Sequence, residues 1–173
     1  DAEEFLQALN RGLATGVNIV ISTSAVSMGR YDFIPDALRS IGANIVFHKV
    51  AMRPGKPILF AILPNGTLYF GLPGNPISSA VGFRFFVQLA IQTMQGIASE
   101  SPMHIPLAHS VVKKSGFTLL QKAKLTVDAS GQLKVSLLKG QESFRIQPLL
   151  HSNAWALLPE DVSSLAENTL VEL

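Results

Sequence analysis

The sequence predicts an α/β domain with a mostly parallel sheet, followed by a small all-β, barrel-like domain. The first observation is the order helix, strand, loop, helix, strand over residues 1–50, which is typical of an α/β sheet. The second is a hairpin signal at Asn65-Gly66, followed by a long apolar helical pattern. The third is a series of short strands with turn signals, and no convincing helix, after residue 100. We therefore expect two domains, over residues 1–98 and 103–173.

Composition narrows the classes of protein to consider. Of the 173 residues, 47% are hydrophobic and 15% are charged, which excludes a disordered tail. The sequence contains no cysteine, so disulfide scaffolds, zinc–thiolate sites and cysteine nucleophiles are excluded. A net charge of +2 argues against a general nucleic-acid binder. Prolines and glycines interrupt the apolar stretch 57–76, which argues against a membrane-spanning helix. We expect a cytoplasmic protein with neither nucleic acid nor membrane as partner, and the first residue, Asp1, suggests a fragment of a longer protein.

The first domain is predicted to begin with a helix that Asp1 caps, with apolar residues on one stripe as far as Leu13. The β-branched run 17–21 predicts a buried strand, and residues 44–50 predict another. Between these two strands, Asp32 is placed to cap a second helix. This half of the domain thus alternates helices and strands.

The hairpin strands are predicted at 57–63 and 67–72, on either side of Asn65-Gly66. The helix over 77–95 is apolar nearly all round, so we expect it to be covered on most faces. The strands predicted for the second domain cover residues 117–128, 132–139, 154–158 and 170–173.

The loop after the first strand is the first candidate site, because open α/β sheets bind ligands at such positions. Its hydroxyl groups and exposed amides could cradle a phosphate. The loop is also explained as an ordinary strand–helix connection, since it has no Walker-type glycine pattern. The candidate binding residues are Ser22, Thr23, Ser24, Ser27 and Gly29.

Two further turns could bind an anion. Lys49, Arg53 and Lys56 surround a Pro-Gly turn, and cations held in this way suit a phosphate or an oxyanion, although a solvated surface turn is equally consistent. Residues 73–76 precede the long helix, whose first N–H groups point toward any ligand there. A tight connection without function explains this turn nearly as well. Its candidate residues are Pro73, Gly74, Asn75 and Pro76.

Asp32 is a candidate for holding a divalent cation or positioning a water, although an isolated aspartate here is also explained as a helix cap. The histidines show no paired spacing of the kind that metal ligands have. The residues alone therefore predict an anion-binding α/β domain joined to a β domain.

Three segments resemble signatures of one family, in order and at family-like spacing. Residues 21–32 (ISTSAVSMGRYD) are similar to the pattern Ser-(Thr/Ser)-Gly-Gly-Val-Ser-(Met/Val)-Gly-Glu-x-Asp, with Ser24-Ala25 in place of Gly-Gly and Arg30 in place of Glu. Residues 49–57 (KVAMRPGKP) and 71–76 (GLPGNP) resemble two further signatures. Together they resemble the C-terminal half of the MoeA/gephyrin family, the molybdopterin molybdenumtransferases. The α/β domain is then a partial MogA-like three-layer domain, and the β domain is similar to domain IV of that family.

The resemblance implies an enzyme of the last step of molybdenum cofactor synthesis. Family members insert molybdate into adenylated molybdopterin, use Mg²⁺ and release AMP. By position, Asp32 and Asp1 match acidic catalytic residues, with Asp32 as a Mg²⁺ ligand and Lys56 also catalytic. Basic residues for phosphate or molybdate correspond to Lys49, Arg53 and Lys56. The remaining matches are the pocket-lining Pro73 and Pro76 and a serine of the β domain, Ser143.

The resemblance also implies partners. We expect a homodimer, formed through N-terminal domains that precede the matched region, and a MogA-type adenylyltransferase as a possible partner. The isolated 173-residue chain is predicted not to turn over. The alternative is a non-catalytic molybdopterin-binding or scaffold protein on the same fold, which the Ser24-Ala25 change favours. A sugar- or nucleotide-phosphate binder that only shares the sheet is a further alternative.

Overall fold

The chain forms two units in a computed structural model that describes residues 1–24 and 33–173. The first unit comprises Asp1–Val50 and Gly55–Ile91, and the second comprises Ala51–Pro54 and Gln92–Leu173. The short segment Ala51–Pro54 therefore belongs to the second unit, although it lies in the middle of the first in sequence. No local signal in the sequence predicts this assignment.

The helices and strands of the first unit confirm the predicted order. Their bounds are α1 (Ala2–Leu13), β1 (Ile19–Thr23), α2 (Ile34–Ser40), β2 (Asn44–His48), then β3 (Met52–Arg53, in the second unit), β4 (Leu59–Ile62), β5 (Leu68–Leu72) and α3 (Pro76–Gly82), which continues through a π-helical turn (Phe83–Val87) into α4 (Gln88–Met94).

The capping residues account for the position of α1. The Asp1 carboxylate accepts the Glu4 N–H at 2.9 Å, and the Glu4 carboxylate accepts a hydrogen bond from the Asp1 backbone nitrogen at 3.1 Å, which completes a capping box. Leu9 is buried against the sheet, and Phe5, Leu6 and Leu13 pack beside it. The predicted helix and its cap are therefore confirmed.

The described sheet of the first unit has the strand order β1-β5-β4-β2. β1 and β5 are parallel, whereas β4 is antiparallel to both of its neighbours, β5 and β2. Three strands thus run in one direction, and the tight turn at Asn65-Gly66 sends β4 in the other. One face packs against α1 and α2 around Leu38, Leu59 and Tyr69. The α/β class predicted from the sequence is confirmed.

The long helical run after β5 is buried only in its first part. Gly82 lies close to the sheet, since a Cβ built there would be 2.8 Å from Leu72 Cδ2. No residue of α4 is buried, and Leu89 and Met94 are 46% and 51% exposed. The prediction that this helix is covered on most faces is therefore wrong for α4. A run of this length extends about 28 Å, whereas a five-residue strand spans only about 16 Å, so the sheet cannot cover it.

The second unit is built from antiparallel strands, with one parallel strand contributed by β3. Its strands are β6 (His104–Pro106), β7 (Val111–Val112), β8 (Thr118–Val127), β9 (Leu133–Leu137), β10 (Ala154–Leu158), β11 (Ser164–Leu165) and β12 (Leu170–Glu172). The main sheet has the order β3-β8-β10-β12-β6, and β9 pairs with β8. The segment after β6 also meets β9, through a parallel bridge between Leu107 and Val135 and a hydrogen bond from the Ala108 N–H to the Val135 carbonyl at 2.8 Å. The strands β8, β10, β12, β6 and β9 thus form a closed circuit, in agreement with the predicted barrel-like domain.

A single apolar cluster fills the second unit, and a short 3₁₀ helix (Gln147–His151) accompanies its strands. The buried members of the cluster are Ile105, Leu107, Ala123, Val135, Ala156, Leu158, Leu165 and Val171. The predicted strands of this unit are confirmed. Over residues 1–24 and 33–173, no helix combines the length and apolarity needed to cross a bilayer.

Candidate functional site

The described first-unit residues of the three candidate turns lie at one edge of its sheet. Thr23 lies opposite Leu72 across the parallel pair β1–β5, so the two strands end at the same level. β4 begins at this level with Leu59, and its partner His48 is the last residue of β2. The ends of β1, β2 and β5 and the start of β4 therefore lie at one edge of the sheet, where sheets of this kind bind ligands. The sequence predicts these candidate segments separately, and the strand order places their described residues at the same edge.

The end of β1 is fixed by two hydrogen bonds to β5. The hydroxyls of Ser22 and Tyr69 share a hydrogen bond of 2.5 Å, and the Ser24 N–H donates to the Leu72 carbonyl at 3.1 Å. Ser24 has a φ of 76°, in the left-handed region that favours glycine. Ser24 thus adopts a glycine-like conformation at a position where the family pattern has glycine. Thr23 is exposed at this edge.

Tyr69 is a site residue that sequence reasoning missed. Its side chain is fully buried, and burial raises the pKa of the Tyr69 hydroxyl to about 12, with the Ser22 hydrogen bond opposing the shift. The hydroxyl therefore stays protonated at neutral pH and holds the Ser22 side chain. The available signal was a single hydroxyl in the otherwise apolar strand 68–72.

The turn after β5 packs directly against Ser24. A Cβ built on Gly74 would lie 2.6 Å from Ser24 Oγ, so only glycine fits there without a shift of its neighbour. Asn75 caps α3, because its side-chain oxygen accepts the Ile77 N–H at 3.2 Å. Pro73 is buried and accepts a hydrogen bond from the Ser79 hydroxyl, whereas Pro76 is exposed at the start of the helix. The predicted turn is present, and its asparagine has a structural role as the cap of α3.

Lys49 and Lys56 lie at the base of the loop between β2 and β4. The Lys49 N–H donates to the Ile58 carbonyl, and the Val50 N–H donates to the Lys56 carbonyl, both at 2.9 Å. Lys49 has a φ of 73°, which is a second left-handed residue at this edge besides Ser24. Both lysines are exposed. The backbone pairing therefore fixes where the two cationic side chains start.

Arg53 does not share the unit that carries these lysines. Met52 and Arg53 form β3, which pairs with Thr118 and Leu119 of the second unit. The Arg53 guanidinium lies 4.0 Å from the centre of the Phe117 ring, a cation–π contact. Ser143 also belongs to the second unit, in the turn between Glu142 and Arg145. Sequence proximity had grouped Arg53 with Lys49 and Lys56, but strand pairing assigns it to the other unit.

Asp1 begins a helix whose first half contacts the site-bearing part of the sheet. The Phe5 ring lies 6.0 Å, centre to centre, from both Phe33 and Tyr69. Since α1 returns through a short turn into β1, the start of α1 and the end of β1 lie at the same end of the unit. The Asp1 carboxylate is exposed there while it caps the helix.

The predicted residues Ser27, Gly29 and Asp32 lie outside the described residues. Within the described part of the chain, no group of three or more histidine or acidic side chains could hold a metal ion. Mg²⁺ at phosphate sites is commonly held by only one or two carboxylates together with oxygen atoms of the substrate.

Comparison with known proteins decides the family. Residues 1–93 match the family described as "Probable molybdopterin binding domain", and residues 104–173 match the one described as "MoeA C-terminal region (domain IV)". The chain belongs to the MoeA/gephyrin family. This finding confirms the resemblance seen in the three sequence segments.

Family relatives are similar over the whole chain but are much longer. A "Molybdopterin molybdenumtransferase" of Synechococcus elongatus is 38% identical over 174 residues, which cover 100% of this chain and 42% of the relative. One of Staphylococcus epidermidis is 31% identical and covers 99% of this chain and 41% of the relative. The chain thus spans about two fifths of the length of these relatives.

Solved structures of the family share the fold. The "molybdopterin biosynthesis moeA protein" of Pyrococcus horikoshii OT3 superposes with a TM-score of 0.74 at 20% identity, covering 100% of this chain and 40% of that one. A "Molybdenum cofactor biosynthesis protein" of Pyrococcus furiosus gives a TM-score of 0.61 at 25% identity, covering 82% of this chain and 54% of that one. The architecture of this MoeA/gephyrin member is therefore that of the family.

Proposed function

We propose that the gene product containing this chain acts in molybdenum cofactor biosynthesis, inserting molybdate into adenylated molybdopterin with release of AMP. The observation that carries the proposal is the convergence of four polar or cationic segments at one sheet edge, in a chain of this family. These segments are the end of β1, the residues around Lys49, those around Lys56, and the turn 73–76.

The chemistry of that edge suits a ligand with several negative charges. Adenylated molybdopterin carries phosphate groups and molybdate is an oxyanion, so both are attracted by Lys49 and Lys56. The Ser22 hydroxyl is oriented by Tyr69, and the hydroxyls of Thr23 and Ser24 follow it along the chain. These side chains would bind and orient the phosphate groups, and Lys56 would stabilise negative charge that develops during transfer.

Further parts of the proposal rest on the family resemblance. They assign Asp32 and Asp1 as catalytic carboxylates and Asp32 as a ligand of Mg²⁺. From the second unit they assign Arg53 as a basic binding residue and Ser143 as a hydroxyl offered to the substrate. A homodimer, a MogA-type adenylyltransferase partner and a cytoplasmic location also belong to the proposal.

The test measures AMP release and active cofactor formation by the natural gene product, with adenylated molybdopterin, Mg²⁺ and molybdate supplied. Lys56→Met and Lys49→Met should each raise the KM for adenylated molybdopterin about tenfold or more, because a charge-assisted contact is lost. Asp32→Asn should lower kcat by about two powers of ten. Lys124→Met, an exposed lysine of β8, is the matched control and should behave as wild type. Wild-type kinetics in all three site variants would contradict the proposal.

A second candidate function is a non-catalytic molybdopterin-binding or scaffold protein. The observation that favours it is the side chain at Ser24, which sits in a left-handed conformation and contacts the Gly74 turn where the family pattern has glycine. If wild type binds molybdopterin without turnover, and the Ser24→Gly/Ala25→Gly variant turns over, the pocket is retained and the chemistry is blocked by this loop.

A further inference from the structure

A loop of the second unit is organised around one buried lysine. Lys122 lies in the middle of β8 and is only 1% exposed. Its ammonium donates hydrogen bonds to the carbonyls of Gly140 at 2.8 Å, Arg145 at 3.1 Å and Glu142 at 3.4 Å. An ammonium has three N–H donors, so all three of them go to the backbone of this single loop, residues 138–146.

Gln141 anchors the same loop from within. Its side-chain amide donates to the carbonyls of Lys122 at 2.8 Å and Leu138 at 2.7 Å, and its oxygen accepts the Lys122 N–H at 2.9 Å. These bonds continue the pairing of β8 beyond the end of β9 at Leu137. Lys122 thus contributes its backbone and its side chain to the same loop.

The anchored loop ends in a tight turn with Ser143 and Phe144 at its tip. The Arg145 N–H donates to the Glu142 carbonyl at 3.0 Å, and the two side chains form an ion pair at 3.3 Å. Phe144 is 69% exposed, and Ser143 is half-buried. The carbonyls at both ends of the turn are the ones that accept from Lys122. The ammonium therefore fixes the turn at its base.

An apolar residue at this strand position would avoid the desolvation of a charge. Burial lowers the pKa of Lys122, which Glu142 opposes and Arg145 reinforces. A loop that is ordered before binding loses less conformational freedom when a ligand arrives, so affinity improves. The buried charge is thus explained by the loop that it orders.

We propose that Lys122 is a positioning residue that presents the Ser143 hydroxyl to the substrate. This inference rests on the proposed function, in which Ser143 contacts adenylated molybdopterin. It adds a residue of the β-sheet core that touches no substrate itself.

The first measurement is hydrogen exchange of the natural gene product, read by mass spectrometry. Lys122→Met should speed exchange of the amides in residues 140–146 about tenfold or more, while β10 keeps its protection. Lys124→Met is the matched control, since it makes the same substitution at an exposed position two residues along the same strand. Equal loop exchange in wild type and Lys122→Met would overturn the proposal.

The second measurement is a double-mutant cycle in the KM for adenylated molybdopterin. Ser143→Ala and Lys122→Met should each raise this KM about tenfold, which corresponds to about one hydrogen bond. The KM of the double variant should be no higher than that of the single variant with the higher KM, because Lys122 acts through Ser143. Lys122→Arg keeps the charge and should restore the KM to within about threefold of wild type. A lysine with only a structural role would leave KM unchanged, or would add its effect to that of Ser143→Ala, and either result refutes the proposal.

Two controls keep the outcome decisive. If Lys122→Met does not fold, Gln141→Ala removes the other anchor without unpairing a charge, and it must show the same rise in exchange and KM for the proposal to stand. If wild type is inactive, the proposed function fails and the substrate role of Ser143 fails with it. The exchange measurement still decides whether Lys122 holds the loop.

Discussion

The contact between Ser24 and Gly74 gives a prediction whose sign can be worked out. Gly74 does not have a left-handed φ, so its backbone accepts alanine. The space around Gly74 does not accept alanine, because the new Cβ would lie 2.6 Å from Ser24 Oγ and 3.3 Å from Ser24 Cβ. The hydroxyl can rotate away, but the Ser24 backbone is held by its hydrogen bond to Leu72, so the Cβ contact remains.

Gly74→Ala should therefore destabilise the first unit. Overpacking of this kind costs about 1–3 kcal/mol, and the lower entropy of alanine in the unfolded chain offsets about 0.4–1 kcal/mol of it. We expect a net loss of about 1 kcal/mol. In a Ser24→Gly background the obstructing atoms are absent, so Gly74→Ala should become neutral or slightly stabilising. The coupling between the two positions is then about 1–2 kcal/mol.

The assay is urea unfolding of the four proteins in this cycle. Far-UV circular dichroism reports the first unit, because α1, α2 and α3 lie there. Fluorescence of Trp155, the single tryptophan, reports the second unit and should not change. An equal loss of stability from Gly74→Ala in both backgrounds would refute the reasoning, since Ser24 would then not be the obstacle.

Three further predictions concern stability and activity. Gly12→Ala should stabilise α1 by about 0.5–1 kcal/mol, because a Cβ there meets nothing within 4 Å; thermal unfolding of the variant tests this, and a lower midpoint would contradict it. The folded-state pKa of Tyr69, about 12, lies above its ordinary value of 10.0, so its contribution to stability is fully present below pH 10 and is lost as the pH rises toward 12. The loss is about 3 kcal/mol at most, and unfolding at several pH values should show that Tyr69→Phe lacks it. The same decline in both proteins would assign the loss to other groups. Asp1→Asn retains the helix cap, whereas Asp1→Ala loses it at about 1 kcal/mol. If the Asp1 carboxylate acts in catalysis, both variants of the natural gene product lower kcat about a hundredfold. A wild-type kcat in Asp1→Asn would show that Asp1 only caps the helix.

Local signals predicted the elements of the fold well. The cap at Asp1 and the Asn65-Gly66 turn are short-range features, and both appear where the sequence placed them. The first strand was displaced by two residues, from 17–21 to Ile19–Thr23. The length of the sheet relative to the long helix is a tertiary property, so the exposure of α4 could not be predicted from its composition.

The candidate site was predictable in part. The turns at one sheet edge each carried a local signal, and parallel strand ends bring such turns together. The pairing of Arg53 with Leu119 could not be predicted, because a contact between distant segments leaves no local signal in the sequence. Lys122 was missed because a lysine in an alternating strand normally faces solvent, and only the loop 138–146 explains its burial.

Because residues 51–54 belong to the second unit, two separate segments of the chain form that unit. A polypeptide of residues 92–173 would lack β3, so Thr118 and Leu119 would lose their parallel neighbour and Phe117 would lose the Arg53 guanidinium. No single proteolytic cut between the units could then release an intact β domain. The β3–β8 pairing also joins residues that are far apart in sequence, a kind of contact that slows folding.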